Sequence, residues 1–515
     1  MASRLGGPRT RGRRMCILAR MRPPVIIFAL CVLALCVGAA TPLRPAASRP
    51  TIPRRQAPPV AQRVTPRVAP PVAPPAAPRV APRGTPRVVN LAGTWSGTAE
   101  MRGARLELSV RFTGGGSTLA ATLSSPDLLL LDQPLDGVRG NGTHIRFATP
   151  DEHPLQFHGV IAGDSMHCFA TVPAVPGVID KTRPEPEVRL VLGRARPSGE
   201  PPYSTRELRF TSGRARLAGT LYLPKPGGDL HAGVVLLQGS SSNLRREYRF
   251  YADHFARAGL AVLTFDKRGN GESSGDYSAA TYDTLASDGA AAVECLRAQP
   301  LVDPQGVGVW GLSQGAFIAP RVAGLAPSVR CIVAVSAPGL PIGYSAAYQD
   351  SARLASAGFD AADVRRVVSL NRRLTEWLET GKGEAELSAL LTEAATTRWR
   401  RASSLPARLP SGAALKGWYW RGRTVDPEPW WSAVRVPVLA VYGAADELVP
   451  PKPNAKAIER ALRKGGDKDV TVKMYPSANH ILRTLPLVAG GRWDWPRAAP
   501  GYLDKVTEWL VAHTH

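Results

Sequence analysis

From about Leu91 to Leu192 apolar and polar residues alternate in short runs, among them "ARLELSVRFT", "HIRFATP", "LQFHGVIAGD" and "EVRLVLG". Turn-forming stretches such as "TGGG" and "GNGT" separate them. A period of two is that of a strand with one face buried, so these runs predict a small antiparallel β barrel or sandwich, here bounded at 89–197. Near Tyr203 the pattern changes. Nearly all-apolar runs, "AGVVLLQGS", "LAVLTFDKRG", "GVGVWGLS", "RCIVAVSAP" and "PVLAVYGAAD", now alternate with amphipathic stretches such as "REYRFYADHFARAG" and "TYDTLASDGAAAVECLRAQ". Strands apolar throughout are covered on both faces, and strands alternating with helices build a mostly parallel sheet with helices on both sides. Residues 203–515 therefore read as an α/β domain. One stretch, 339–431, breaks its rhythm with helical pieces and six tryptophans. Placed above the carboxyl ends of the strands, it reads as a helical lid insertion.

Ahead of these domains the chain has a different character. An Arg-rich start leads into "VIIFALCVLALCVGAA", Val25–Ala40, which is too short to span a bilayer comfortably and closes on small residues. Residues 1–40 thus predict a cleaved signal peptide and an exported protein, with Met21 as an alternative start. Residues 41–88 hold fourteen prolines, which forbid helix and most strand pairing, so they read as an extended linker. The net charge of +24 points at first to nucleic acid. Residues 1–90, however, hold 16 of the 65 Lys and Arg and no Asp or Glu, so only about a third of the excess belongs to the folded part. Nucleic-acid binding is not expected; contact with an anionic cell envelope through the linker or the β domain is. The three cysteines beyond the leader, Cys168, Cys295 and Cys331, permit one bridge at most. No Cys or His pairs stand at zinc-ligand spacing, and neither a metal nor another cofactor is implied.

Candidate chemistry gathers at strand ends. "GLSQG" follows an apolar strand and precedes a helical pattern, which is the strand–turn–helix setting of a nucleophile elbow with Ser313 at its tip. A serine hydroxyl needs a base, and the base an orienting acid. His480, in "YPSANHIL", follows the last strand, whereas His513 and His515 lie in a tail prone to fray. "VYGAADELVPP" offers Asp446 as the acid, with Glu447 beside it as the alternative. The oxyanion donors would be the backbone N–H groups of Gln314 and of Ser240 in "LLQGSSSN". Trp95, in the β domain, is read as core rather than as part of a binding face.

Together "RLAGTLYLP", "FDKRGNGESSG", "GLSQG", "VYGAADELVPP" and "ANHIL" resemble the α/β-hydrolases, over residues 205–513. The resemblance is to the bacterial branch related to serine aminopeptidases, prolyl oligopeptidases and dienelactone hydrolases, exported members of which often carry an added N-terminal β domain. It implies a Ser313–His480–Asp446 triad and hydrolysis of small acyl compounds, with a carboxylesterase expected, an exopeptidase as the alternative and a non-catalytic binding protein as a third reading. The sequence departs from the family at Gln238, where a histidine usually supports the oxyanion loop. Asp266 and Arg268 are expected to form structural hydrogen bonds. From the lid, Trp377, Trp399, Trp418, Trp420, Trp430 and Trp431 offer apolar faces, two or three of them expected to reach the substrate. Asp426 and Glu428 could instead bind an α-amine. The α/β part, with a complete sheet, is expected to fold without the β domain.

Overall fold

Two β sheets, one curled and one twisted and open, organise the chain. The computed structural model describes residues 90–514 apart from 151–153, 172–186, 197–198, 226–228, 241–243, 417, 468 and 485–493. The expected signal peptide and Pro-rich linker lie outside the described residues.

The first sheet contains β1 (Gly93–Met101), β2 (Ala104–Thr113), β3 (Ala120–Ser125), β4 (Leu130–Pro134), β5 (Asp136–Gly140), β6 (His144–Ala148), β7 (Gln156–Ala162), β8 (Ser165–Thr171) and β9 (Glu187–Arg194). All neighbours are antiparallel, in the order β4-β3-β2-β1-β9-β8-β7-β6-β5. The two outer strands follow one another directly in the chain, so the sheet curls into a nearly closed barrel, which leaves little free edge. Alternate residues point inward: Val110, Phe112, Phe147, Phe157, Met166 and Leu190 fill the interior. Trp95 lies among them, fully buried, with its Nε1 donating to Leu91 O at 3.0 Å.

The second sheet is the α/β core. Its strands are β10 (Tyr203–Ser212), β11 (Ala215–Pro224), β12 (His231–Leu237), β13 (Ala261–Phe265), β14 (Val302–Leu312), β15 (Val329–Val335), β16 (Val438–Gly443) and β17 (Val470–Tyr475). They lie in the order β10-β11-β13-β12-β14-β15-β16-β17, with β10, β11 and β13 paired antiparallel and the remaining pairs parallel. Helices α1 (Arg249–Arg257), α2 (Tyr282–Arg297) and α3 (Gln314–Leu325) make the first crossovers. Between β15 and β16 come α4 (Ile342–Ser356), α5 (Ala361–Thr380), α6 (Glu384–Ala394), α7 (Trp418–Gly422) and α8 (Glu428–Ala433). Helices α9 (Pro451–Gly465) and α10 (Tyr502–Thr514) complete the fold.

Strict alternation along the central strands explains the layers. Val234 and Leu236 face α1 and α10 through Phe255, Val506 and Leu510, while Val235 and Leu237 face α2 and α3 through Val293 and Phe317. Every residue of β13 and β16 is buried, as strands sandwiched between helices must be. The inserted helices α4 to α6 have a small core of their own, including Leu354, Val367, Leu374 and Leu391. A polar network pins that core: the Asp350 carboxylate accepts from Asn371 Nδ2 at 2.9 Å and Ser404 N at 2.8 Å, and Asn371 Oδ1 accepts from the Arg423 guanidinium at 2.9 Å.

The two sheets exchange side chains. Trp495, which precedes α10, is buried in the barrel core and donates from Nε1 to Ala104 O at 3.1 Å. Leu129, from the turn between β3 and β4, is buried in the α/β core. This reciprocal insertion works against the expectation that the α/β part is self-sufficient, because removing the barrel would expose both surfaces.

Candidate active site

Ser313 stands between the end of β14 and the start of α3 with φ 54° and ψ −112°, a backbone conformation that L residues adopt only under constraint. The constraint is visible on both sides: Ser313 N donates to Val335 O at 2.9 Å, and Phe317 N donates to Ser313 O at 2.8 Å. Glycine is required at the two flanking positions because the turn is crowded. A Cβ at Gly315 would lie 2.0 Å from Leu237 O, and one at Gly311 would lie 2.5 Å from the carbonyl carbon of Gly315. The spacing of the motif is therefore a packing requirement of strand meeting helix, and it leaves the serine side chain at the cavity.

Beyond β17 the chain turns back and carries His480, whose Nδ1 is 2.8 Å from Asp446 Oδ2. Asp446 stands three residues after β16. Its other oxygen accepts from Leu448 N and Val449 N, each at 2.8 Å, so the carboxylate is aimed before the histidine arrives. Of the two adjacent acids it is Asp446 that hydrogen-bonds to the His480 imidazole, whereas Glu447 borders the cavity and meets only the backbone of His480. Burial pushes the His480 imidazole down, but the Asp446 charge, its hydrogen bond and the Glu447 charge together outweigh burial and hold the pKa above its ordinary value. Burial raises the Glu447 carboxyl. The Ser336 hydroxyl donates to His480 O at 2.8 Å and ties the histidine turn to the end of β15.

The loop after β12, the candidate oxyanion loop, is held from three directions. Gly239 N donates to Tyr248 Oη at 2.8 Å, and Gly239 O accepts from Lys267 Nζ at 2.6 Å. Gln238 donates from its side chain to Phe265 O, so it braces the loop where the family's usual histidine is missing. Lys267 also donates to Gln314 Oε1 at 2.8 Å and therefore joins the residues that carry both candidate N–H donors. Burial pushes the Lys267 ammonium down to about 7, opposed by the Glu247 charge. Its neighbours in "FDKRG" are structural: Asp266 accepts from Arg245 N at 2.8 Å and Glu272 N at 3.0 Å, and Arg268 Nε donates to Asp288 at 2.7 Å.

Ser313, His480, Gly239 and Ser240 border one cavity of ≈ 290 Å³ whose other walls include Leu129, Tyr248, Tyr251, Gln349 and Val449. The insertion reaches it through α4, where Gln349 Nε2 donates to Leu448 O at 2.9 Å and Tyr348 Oη donates to Asp446 O at 3.0 Å. Its tryptophans correct the sequence reading. Trp377, Trp399 and Trp420 pack in the insertion's own core, and Trp430 and Trp431 pack on the main core beside Phe317. None of these five borders the cavity. Glu428 pairs with Lys464 at 2.8 Å, and Asp426 accepts from Glu428 N at 3.0 Å, which employs both acids structurally. Lys267, Tyr248 and Leu129 were not singled out from sequence. Lys267, charged yet flanked by a strand end and a glycine-rich turn, carried the one available signal.

The family model described as serine aminopeptidase, S33, matches residues 228–484. A thiohydrolase of Arthrinium phaeospermum, apmlB, is 32% identical over 134 residues, which is 25% of this chain and 42% of that protein. A second, aneE of Aspergillus aculeatus, is 32% identical over 137 residues, 26% and 42% of the two chains. This chain thus spans about two fifths of the length of these curated relatives. Among solved structures, an esterase of Pyrococcus furiosus aligns with 18% identity over 61% of this chain and 92% of its own, with a TM-score of 0.39. Acetyl xylan esterase 1 of Thermoanaerobacterium aligns with 17% identity over 61% and 85%, also with a TM-score of 0.39. The family match falls on the segment that carries the parallel strands, the elbow and the histidine turn, and the chain belongs to the α/β-hydrolase superfamily.

Proposed function

We propose that this protein is an exported serine hydrolase that cleaves small acyl esters, a carboxylesterase, through an acyl-enzyme at Ser313. One arrangement carries the reading: His480, hydrogen-bonded to a backbone-anchored Asp446, opens onto the same cavity as Ser313. Ser313 Oγ attacks the acyl carbon and passes its proton to His480, and Asp446 stabilises the imidazolium. The backbone N–H groups of Gln314 and Ser240 receive the oxyanion. Collapse breaks the ester bond, and His480 protonates the departing alcohol. Water, deprotonated by His480, then releases the acid and restores the serine. A cavity of ≈ 290 Å³ suits a short acyl chain or an aromatic acid. The thiohydrolase names of the two relatives add acyl thioesters to the substrates worth testing.

Export and envelope contact belong to the same proposal. The apolar run Val25–Ala40 supports the first, and the barrel's outer face supports the second, with Arg146, Arg189 and His167 around the exposed Phe169. The test of activity is fluorophosphonate labelling mapped to Ser313, followed by turnover of a panel of acyl esters and thioesters. Absence of labelling at Ser313 excludes the hydrolase.

A second reading, an aminopeptidase, is favoured by Glu247 and Glu447, whose side chains border the cavity and could receive an ammonium group. It requires aminoacyl p-nitroanilides to be cleaved at rates comparable with p-nitrophenyl acetate, and Glu447→Gln to abolish only the former.

A further inference from the structure

Among the described residues, the barrel meets the cavity at one turn, Pro126–Leu129, through Leu129. Leu128 stays in the barrel core, while Leu129 faces the other way, in the α/β core beside Tyr251 and Leu312. Leu129 is 6% exposed and has φ 53°, a left-handed conformation that a leucine keeps only where its surroundings impose it. Those surroundings are specific. The Arg483 guanidinium donates to Leu128 O, Ala498 N donates to Asp127 O at 2.7 Å, and the Asp127 carboxylate pairs with Arg497. Arg483 stands three residues beyond His480 on the same turn, which is closed by Asn479 N donating to Arg483 O at 2.7 Å and Arg483 N donating to Asn479 Oδ1 at 3.0 Å. The barrel turn is thus fastened to the loop that bears the histidine, and Leu129 borders the same cavity as Ser313.

We infer that the β domain supplies a wall of the acyl site, and that Leu129 sets the length of acyl chain the enzyme accepts. The inference rests on the ester-hydrolase reading and adds to it a residue from outside the hydrolase domain. An isobutyl group fixed on a strained, doubly anchored turn is a rigid stop. Shortening it opens space for roughly three more carbons, and each methylene in an apolar pocket changes kcat/KM by about tenfold or more. The anchoring also explains why the turn must be held by the α/β domain: a wall on a mobile loop would not discriminate chain lengths.

The full chain and its Leu129→Ala, Leu129→Trp and Leu129→Met variants are to be compared on p-nitrophenyl esters from acetate to dodecanoate. In parallel, labelling rates are measured with alkyl fluorophosphonates of two to twelve carbons. Leu129→Ala is expected to lower the acetate-to-octanoate kcat/KM ratio by about tenfold or more, and Leu129→Trp to raise it. Leu129→Met, close in volume, should keep the wild-type ratio, which separates a steric stop from a general loss of folding. Labelling rates should follow the same chain-length order. Wild-type ratios in both the Ala and Trp variants, or an equal change on every ester, overturn the inference while Ser313 labelling still supports the hydrolase. No labelling of Ser313 in the wild-type chain overturns both.

Discussion

Lys267 Nζ lies 2.6 Å from the carbonyl oxygen of Gly239, and this contact fixes the orientation of one peptide plane. In a trans peptide the C=O and the following N–H point in opposite directions. The N–H of Ser240 is therefore turned away from Lys267, and Gly239 and Ser240 both border the cavity. Lys267 itself is 5% exposed and does not border it, so it acts as a positioning residue. Replacement by methionine keeps the volume but removes the Lys267 donor from Gly239 O and leaves Gln314 Oε1 with the Tyr277 hydroxyl, at 3.1 Å, as its other donor. We expect Lys267→Met to lower kcat about 10²-fold with little change in KM, the signature of a weakened oxyanion site. A kcat within threefold of wild type on a short-chain p-nitrophenyl ester would remove Lys267 from this role.

The same lysine makes stability depend on pH. Its folded pKa of about 7 lies below its ordinary value, so between the two the unfolded chain binds more protons than the folded one. Stability contributed by this group is full above the unfolded value and is lost as pH falls through about 7. Urea midpoints of the wild type relative to Lys267→Met should rise from pH 7 to pH 10. A constant difference across that range contradicts the burial of a lowered lysine.

His480 must be neutral to accept the serine proton, and its pKa is raised, so kcat/KM should fall on the acid side from a pH above the ordinary imidazole value. Asp446→Asn removes the two largest raising causes and leaves the smaller Glu447 charge against burial, so the pKa falls. The acid limb should move to lower pH while the rate drops by about 10⁴-fold. A limb that stays in place dissociates it from His480.

Replacing Ser313 by glycine removes both the nucleophile and the side chain that makes φ 54° unfavourable. Ser313→Gly should abolish turnover yet stabilise the fold by about 1 kcal/mol, which raises the melting midpoint by about one degree in a chain of this size. Gly315→Ala should do the reverse to stability, since its Cβ has only 2.0 Å to Leu237 O. Calorimetry on the two variants checks both signs.

Trp495→Ala empties a site in the barrel core from the α/β side. A loss of about 3 kcal/mol is expected. If Leu129 is held through the docked barrel, the variant should also broaden the acyl-length profile measured on p-nitrophenyl esters.

The sheet and its elbow were legible because both are written in short-range pattern: alternation along β12 to β16, and two glycines demanded by a strand running into a helix. Asp446 and His480 were legible as polar residues just past apolar strands. Long-range placement was not. Lys267 looks like any charged residue in a turn until β12 and β14 close over it. Leu129 sits in "DLLLLD", where four leucines read as a strand and nothing local says that one faces away from the barrel. The lid tryptophans misled because an aromatic side chain serves a core as readily as a substrate, and five of the six serve cores.

The clasp between Leu128 and Arg483 joins residues 355 positions apart, and that between Arg105 and Arg497 joins residues 392 apart. Contacts of such separation form late, since nearly the whole chain must be in place before they compensate for the entropy of closing the loop. The barrel strands are complete by Arg194, long before the histidine turn emerges from synthesis. The proposed acyl site therefore cannot assemble before the histidine turn and Arg497 have been made. A nascent or proteolytically cut molecule that stops before His480 retains Ser313 but has neither the histidine nor the Arg483 and Arg497 contacts that hold the barrel turn, so the proposed site stays incomplete until that stretch is present.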